Sequence, residues 1–334
     1  MRLLIFLAIE IVMGPLQTLG AIAYMILIPL KNRPLGISGT AYEPLWSRMI
    51  MHAAGTRPDE AAYRLAPHLP AMSPAIVWLL TGTLGLATRW SGFRGSLLAY
   101  PAERPSTLQS MVNHRTEFFD RTLADAVDPG QDNPVKQVVI LGAGWDSRAY
   151  GPIKDAGARL FEVDMPRTQQ VKQEALKKAG VASDHVTFVE TDFNQKSWFD
   201  ALTEKGFDPS LPTFILWEAV TMYLDDEAVE ATLSRVAKLA PGSRIAFDFL
   251  SRELVRAEAP YVLLGKFMVR SIKLFYGEPL LFGISTRAPA RDHVHQLLAS
   301  HGLELAEYEP FGVERAPKKV PVGGLALAVC HGKD

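Results

Sequence analysis

One cysteine in 334 residues, Cys330, rules out an intramolecular disulfide and a cysteine-built zinc site, and it fits a reducing compartment. Neither sign of charge is in excess. Against 35 Lys and Arg stand 36 Asp and Glu, and no basic block or basic–aromatic interleaving argues for nucleic acid as a partner. Histidine is sparse and scattered. His114, His185, His293, His295 and His301 read as surface residues, and His293-x-His295 lacks the neighbouring ligands that a metal site needs, so no metal is expected. There is no internal repeat and no low-complexity tail. The length is enough for a large core, and one cofactor domain with lids accounts for most of it.

What the chain does have is centred on Val138-Val139-Ile140-Leu141-Gly142-Ala143-Gly144-Trp145-Asp146-Ser147-Arg148. Four apolar residues running into Gly-Ala-Gly read as a buried parallel strand, ending in a turn where the backbone approaches a ligand. In an α/β sheet that edge is where adenine-nucleotide-like cofactors lie. Leu160–Asp164 reads as a second strand closing on an acid that can accept hydrogen bonds from ribose hydroxyls. Strands are also expected at Val186–Phe193, Thr213–Glu218 and Arg244–Phe249, each ending in polar groups at the same edge. Single acids of this kind are commonly helix caps or solvated loop residues; a series of them at successive strand ends is not.

A dinucleotide fingerprint requires a third glycine, to pack helix on strand and leave room for pyrophosphate. Ser147 occupies that position. S-adenosyl-L-methionine carries no phosphate and does not need that geometry. It needs a close backbone approach, acids for its hydroxyl and amine groups, and a partner for its carboxylate.

Leu-Gly-Ala-Gly-Trp-Asp-Ser-Arg (141–148), Phe-Glu-Val-Asp-Met-Pro (161–166), Thr-Asp-Phe (191–193) and Trp-Glu-Ala-Val-Thr-Met-Tyr-Leu (217–224) occur in this order and spacing. Together they resemble the leucine carboxyl methyltransferase-like family of class I S-adenosylmethionine-dependent methyltransferases, the bacterial O-methyltransferase branch being the nearest. The resemblance covers roughly residues 36 to 330. It implies a Rossmann-like, doubly wound α/β sheet of about seven strands, the last pair antiparallel, with a helical lid. It also implies roles. Arg115, in Asn113-His114-Arg115-Thr116, would pair with the methionyl carboxylate, work suited to a guanidinium. Gly142 and Gly144 would pack under the cofactor, and Asp164 would hold the ribose. Asp192 and Phe193 would flank the adenine, and Glu218 would meet the amino group. Tyr223 would lie near the active centre in a positioning role. Asp146 and Arg148 would brace the glycine turn.

Methyl transfer from a sulfonium is an in-line displacement that needs positioning and exclusion of water. A carboxylate acceptor needs no general base, whereas an alcohol or phenol does. No base motif stands out, which favours a carboxylate on a small or lipid-like acceptor. The segment at about 251–290 is the expected substrate lid. It is rich in apolar and aromatic residues, and Arg252, Arg256, Lys266, Arg270 and Lys273 make it basic, suited to an acidic substrate, an anionic membrane surface or simple solvation.

Leu3 to Leu30 is almost wholly apolar, interrupted by Glu10, Gln17 and Gly14-Pro15. As a helix it would reach about 42 Å, beyond the hydrocarbon core of a bilayer. It is too long for a simple signal-peptide core. Lys31 and Arg33 after it favour a cytoplasmic catalytic domain. A membrane anchor is expected over 1–34; a buried or dimer-forming helix pair split at Gly14-Pro15 is the other reading, and the oligomeric state is open. Ile76 to Ala87 is a second, shorter apolar run, expected as part of a helical lid region over 35–112, ahead of a cofactor-binding domain over 113–334. Two other functions stay open on these residues. One is an NAD(P)-dependent oxidoreductase, which Ser147 and the lack of a Tyr-x-x-x-Lys pair disfavour. The other is a non-catalytic, membrane-tethered binding protein.

Overall fold

A computed structural model describes residues 1–95, 98–101, 107–192, 197–312 and 320–332. The chain divides into two compact units. One comprises Met1–Glu117, Gly144–Gly151 and Arg167–Ser183; the other comprises Phe118–Ala143, Pro152–Pro166 and the chain from Asp184 onward.

The second unit holds the sheet. Among the described residues its strands are β1 (Gln137–Leu141), β2 (Arg159–Asp164), β3 (Val186–Glu190), β4 (Thr213–Trp217), β5 (Arg244–Leu250), β6 (Glu304–Phe311) and β7 (Gly323–Val329). They form one sheet in the order β3-β2-β1-β4-β5-β7-β6. The first five are mutually parallel, and β7 runs antiparallel between β5 and β6. This is the mixed seven-stranded α/β sheet expected from the motifs. Alternate residues of each strand feed one core: Val139 and Leu141, Phe161 and Val163, Ile215 and Trp217, Ile245 and Phe247 are all buried together. That is the period of two of a pleated strand. β1, β4 and most of β5 are buried on both faces, which is why they read as unbroken apolar runs. β3 is shorter than the expected strand and stops at Glu190. Among the described residues the helices of this unit are the second half of α6 (Leu108–Val127), α8 (Trp198–Glu204), α9 (Asp226–Val236), α10 (Arg252–Val255), α11 (Val262–Tyr276) and α12 (Ala290–Ser300). The Asp225 side chain caps α9 by accepting from the Ala228 N–H at 2.8 Å.

The first unit is helical. It contains α1 (Arg2–Asn32), α2 (Tyr42–Ala54), α3 (Glu60–Leu65), α4 (Pro74–Val77), α5 (Thr83–Ser91), the first half of α6 (Leu108–Val127) and nearly all of α7 (Pro166–Ala179). α1 runs unbroken through Gly14-Pro15, so the split helix pair is not what forms. Its two polar interruptions satisfy each other, the Gln17 amide donating to Glu10 at 2.8 Å. A π turn, Trp78–Gly82, joins α4 to α5 without a break. The second apolar run therefore sits in one helical stretch, and that stretch lies antiparallel to α1. The Phe6 and Phe93 rings are 5.0 Å apart at one end, and Gly20 lies against Leu79 further along. A Cβ on Gly20 would stand 2.7 Å from the Leu79 Cβ, so the backbones meet at small-residue distance there. α1 buries Tyr24 and Ile28 and leaves Leu4, Ile11, Val12, Leu19 and Ile26 exposed. It is long and apolar enough to cross a membrane.

Candidate functional site

The strand order reverses at β1, whose neighbours are β2 on one side and β4 on the other. Parallel sheets of this type bind ligands beyond the carboxyl ends of the strands at such a switch point. At this edge β1 enters the turn through Gly142, at φ +72°. The N–H groups of Gly142 and Ala143 both donate to the Val163 carbonyl, at 2.8 and 3.0 Å, which ties the turn to the end of β2. Gly142 is needed for two reasons. Its φ lies in the left-handed region. A Cβ there would also stand 2.5 Å from Val220 Cγ2. Besides the close approach to a ligand expected from sequence, Gly142 thus has a side chain from the β4 end against it. Gly144 also has a positive φ, +39°.

Asp164 is the last residue of β2. Its carboxylate accepts from the Met165 N–H at 2.7 Å, and its carbonyl accepts from the Thr191 N–H at 3.0 Å. Asp192 follows β3 and is half-buried; Phe193 lies outside the described residues. Glu218 follows β4 and is buried. Asp164, Asp192 and Glu218 thus stand at the ends of three strands that share this edge. Tyr223 ends a short 3-10 turn, Thr221–Tyr223, and packs beside Met222, Val255 and Leu280.

Asp248, on β5, had no assigned part in the sequence reading. Its carboxylate accepts from the Ala219 N–H at 2.6 Å, and its carbonyl accepts from the Thr221 hydroxyl at 2.6 Å. Ala219 has φ +58°, uncommon for a residue with a Cβ. Asp248 therefore holds the strained turn directly after Glu218. An acid inside a strand, flanked by Phe247 and Phe249, was the signal that could have marked it.

In the helical unit, Arg115 is buried on α6 and donates to Glu43 of α2 at 2.5 Å. Asp146, two residues past Gly144, accepts from Arg48 at 2.7 Å, and from the Arg148 side chain at 2.5 Å and backbone N–H at 2.7 Å. Ser147, at the third-glycine position, donates to Asp59 at 2.8 Å, and Asp59 also pairs with Arg57 at 2.5 Å. The Trp145 ring meets the Tyr42 ring edge-on at 5.6 Å. Asp146 and Arg148 pair with each other just beyond the turn; Arg48 and Asp59, the long-range partners of Asp146 and Ser147, carry no motif that sequence could show.

The leucine carboxyl methyltransferase family model matches residues 93–237, a range that includes Arg115, Gly142, Gly144, Asp164, Asp192, Glu218 and Tyr223. A protein from Parafrankia sp. (strain EAN1pec), provisionally named an S-adenosyl-L-methionine-dependent methyltransferase, is 34% identical over 238 residues, covering 70% of each chain. This chain belongs to the leucine carboxyl methyltransferase family. A second methyltransferase with the same provisional name, from Mycobacterium avium (strain 104), is 38% identical over 150 residues, 44% of this chain and 48% of its own length. The chain thus spans about half the length of that curated relative. Among solved structures, a provisionally named methyltransferase from Thermobifida fusca YX has a TM-score of 0.48 and 15% identity, covering 81% of this chain and 94% of its own.

Proposed function

We propose that this leucine carboxyl methyltransferase relative is an S-adenosyl-L-methionine-dependent O-methyltransferase that acts on a carboxylate of a small or lipophilic acceptor. The observation that carries the reading is the placement of Asp164, Asp192 and Glu218 at the ends of β2, β3 and β4, around the Gly142 turn. Carboxylates on one edge repel a pyrophosphate and suit a cofactor that offers hydroxyls and positive charge. Ser147 is engaged with Asp59 and takes no part in a phosphate-binding loop, so the residues fit S-adenosylmethionine and not a nicotinamide dinucleotide.

When bound, S-adenosylmethionine supplies an activated methyl group. The chain's own residues bind and orient. Asp164 accepts from the ribose hydroxyls, Asp192 and Phe193 flank the adenine, and Glu218 accepts from the amino group. Arg115 meets the methionyl carboxylate in competition with Glu43. Tyr223 positions the acceptor, and Asp248 holds the turn that carries Glu218. A carboxylate acceptor is itself the nucleophile, so no side chain has to remove a proton. The outward apolar residues of α1 support membrane attachment, and Lys31 and Arg33 favour a cytoplasmic sheet unit.

The test is calorimetric titration of the detergent-solubilised protein with S-adenosylhomocysteine, with NAD as control. Micromolar binding of the former alone is expected; binding of NAD alone would transfer the chain to redox chemistry. Labelled methyl is then traced into lipid and polar extracts. Label released by mild alkali marks a methyl ester, whereas alkali-stable label marks a hydroxyl acceptor and overturns the carboxylate assignment.

A further inference from the structure

α11 is fixed on one side and uncovered on the other. Its inner face is pinned. A Cβ on Gly265 would stand 2.4 Å from the Leu254 carbonyl oxygen, so α11 lies tight on α10. The Tyr261 hydroxyl donates to the Val320 carbonyl at the start of the helix. Val269 and Ile272 pack against Met222, Val255 and Leu280, beside Tyr223. The outer face is apolar where solvent would demand polarity. Leu263 is 84% exposed, Phe267 69% and Leu274 65%. At about 100° per residue these three fall within about 40° of one another, a single stripe along the helix. Lys266, Arg270 and Lys273 form an adjacent stripe about 70° around the axis. None of the three forms an ion pair among the described residues, and α11 contains no acidic residue.

We propose that α11 docks flat on an anionic lipid bilayer, with Leu263, Phe267 and Leu274 in the acyl boundary and Lys266, Arg270 and Lys273 at the headgroups. An apolar stripe bordered by cations on a fixed helix is the pattern of an interfacial helix. Charge selects this occupant. Two copies pressed together on this face would gather like charges around the apolar stripe with no counter-charge, whereas an anionic surface supplies it. Each basic side chain at such a surface contributes about fivefold to binding. The docking does not depend on α1. Because the inner face of α11 touches the Tyr223 turn, docking places that turn next to the bilayer and suits an acceptor with a lipid-soluble body; this consequence rests on the methyltransferase reading.

The experiment uses the full chain with a nitroxide on Phe267→Cys, and separately on Val12→Cys of α1. Cys330, the one native thiol, is 1% exposed, so labelling is confined to the introduced site. Vesicles of phosphatidylcholine mixed with phosphatidylserine are compared with pure phosphatidylcholine. In the mixed vesicles the label at 267 is expected to lose contact with a water-soluble nickel chelate and gain contact with oxygen. K266E/R270E/K273E should reverse the shift, moving the docked balance by about a hundredfold or more. A 267 label as open to nickel as one on exposed Glu204→Cys in both vesicles overturns the docking, and the Val12 label separately reports whether α1 inserts. Dipolar broadening between 267 labels in detergent would assign the face to a second copy and likewise overturn it.

Discussion

Arg48 and Asp146 form an ion pair of 2.7 Å between side chains that are almost wholly buried, Arg48 on α2 and Asp146 in the turn after Gly144. Burial by itself raises the pKa of the Asp146 carboxyl. Arg48, then Arg148 and Lys172, more than offset that and hold it well below the usual carboxylate range. The arrangement latches the segment that follows the glycine turn through a buried charge, beside the apolar contact of Trp145 with Tyr42. Such a latch is directional, and it fixes Trp145 and Ser147 along with it.

Asp146→Ala is expected to destabilise the fold by about 3–5 kcal/mol, because it removes the buried carboxylate that pairs with both Arg48 and Arg148. The dependence on pH has a definite sign. A carboxyl whose pKa is depressed on folding adds stability that is complete above its unfolded value, about 3.9, and is lost as pH falls toward the folded value. Urea denaturation should therefore show a constant gap between Asp146→Asn and the unaltered protein at neutral pH, closing only on strong acidification. A gap that narrows between pH 7 and pH 5 would remove Asp146 as the source.

Gly142→Ala is expected to cost about 1–3 kcal/mol, from a positive φ of +72° and a methyl placed 2.5 Å from Val220 Cγ2. The two causes separate experimentally. Val220→Ala in the same protein should recover the steric part and leave the backbone part. A double-mutant cycle by thermal or urea unfolding measures that coupling; strict additivity would mean that Val220 is not the limiting neighbour.

The sheet was legible because its parallel strands are buried on both faces and end at polar residues, so composition alone marks both the strand and its carboxyl end. The antiparallel pair of β6 and β7 was expected only as what the resemblance implied. Gly142 was found by its neighbours in sequence, but its contact with Val220 was not: Val220 is 78 positions further along the chain, and no local pattern predicts it. Arg48, Asp59 and Asp248 were missed on the same ground. Each acts through long-range hydrogen bonds; only Asp248 carried a local signal, its place inside an apolar strand, whereas an arginine on a helix looks the same whether it is latched or solvated. The continuity of α1 through Pro15 was also not dictated locally. A proline inside a helix removes one backbone hydrogen bond and leaves the packing of the remaining turns to decide. Here Gly20, Tyr24 and Ile28, packed on one side, lie well beyond it.

Asp164→Ala is expected to weaken S-adenosylhomocysteine binding about tenfold to a hundredfold, the loss of charge-assisted hydrogen bonds of about 1.5–3 kcal/mol. The fold should survive, since the backbone bond from Thr191 N–H to the Asp164 carbonyl does not involve the side chain. Calorimetry against protein checked by circular dichroism decides it. Unchanged affinity in folded protein would remove Asp164 from the ribose.

Val12 and Leu19 are 73% and 58% exposed and lie seven residues apart, on one face of α1 and away from Gly20 and Tyr24. Changing both to Asp gives opposite outcomes for the two ways an apolar helix can be used. If α1 spans a bilayer, each charge near the middle costs about 2.5–3.5 kcal/mol of insertion, and the variant should leave the carbonate-resistant membrane fraction. If α1 is a helix of a water-soluble unit, the same changes place charges in water and should alter stability by no more than about 0.5 kcal/mol while raising solubility without detergent. The packed face is untouched in either case, so loss of the α1 contact with Leu79 cannot imitate the result. Retention of the variant in the membrane fraction, with the fold intact, would count against α1 as the anchor and leave the exposed stripe of α11 as the attachment to examine.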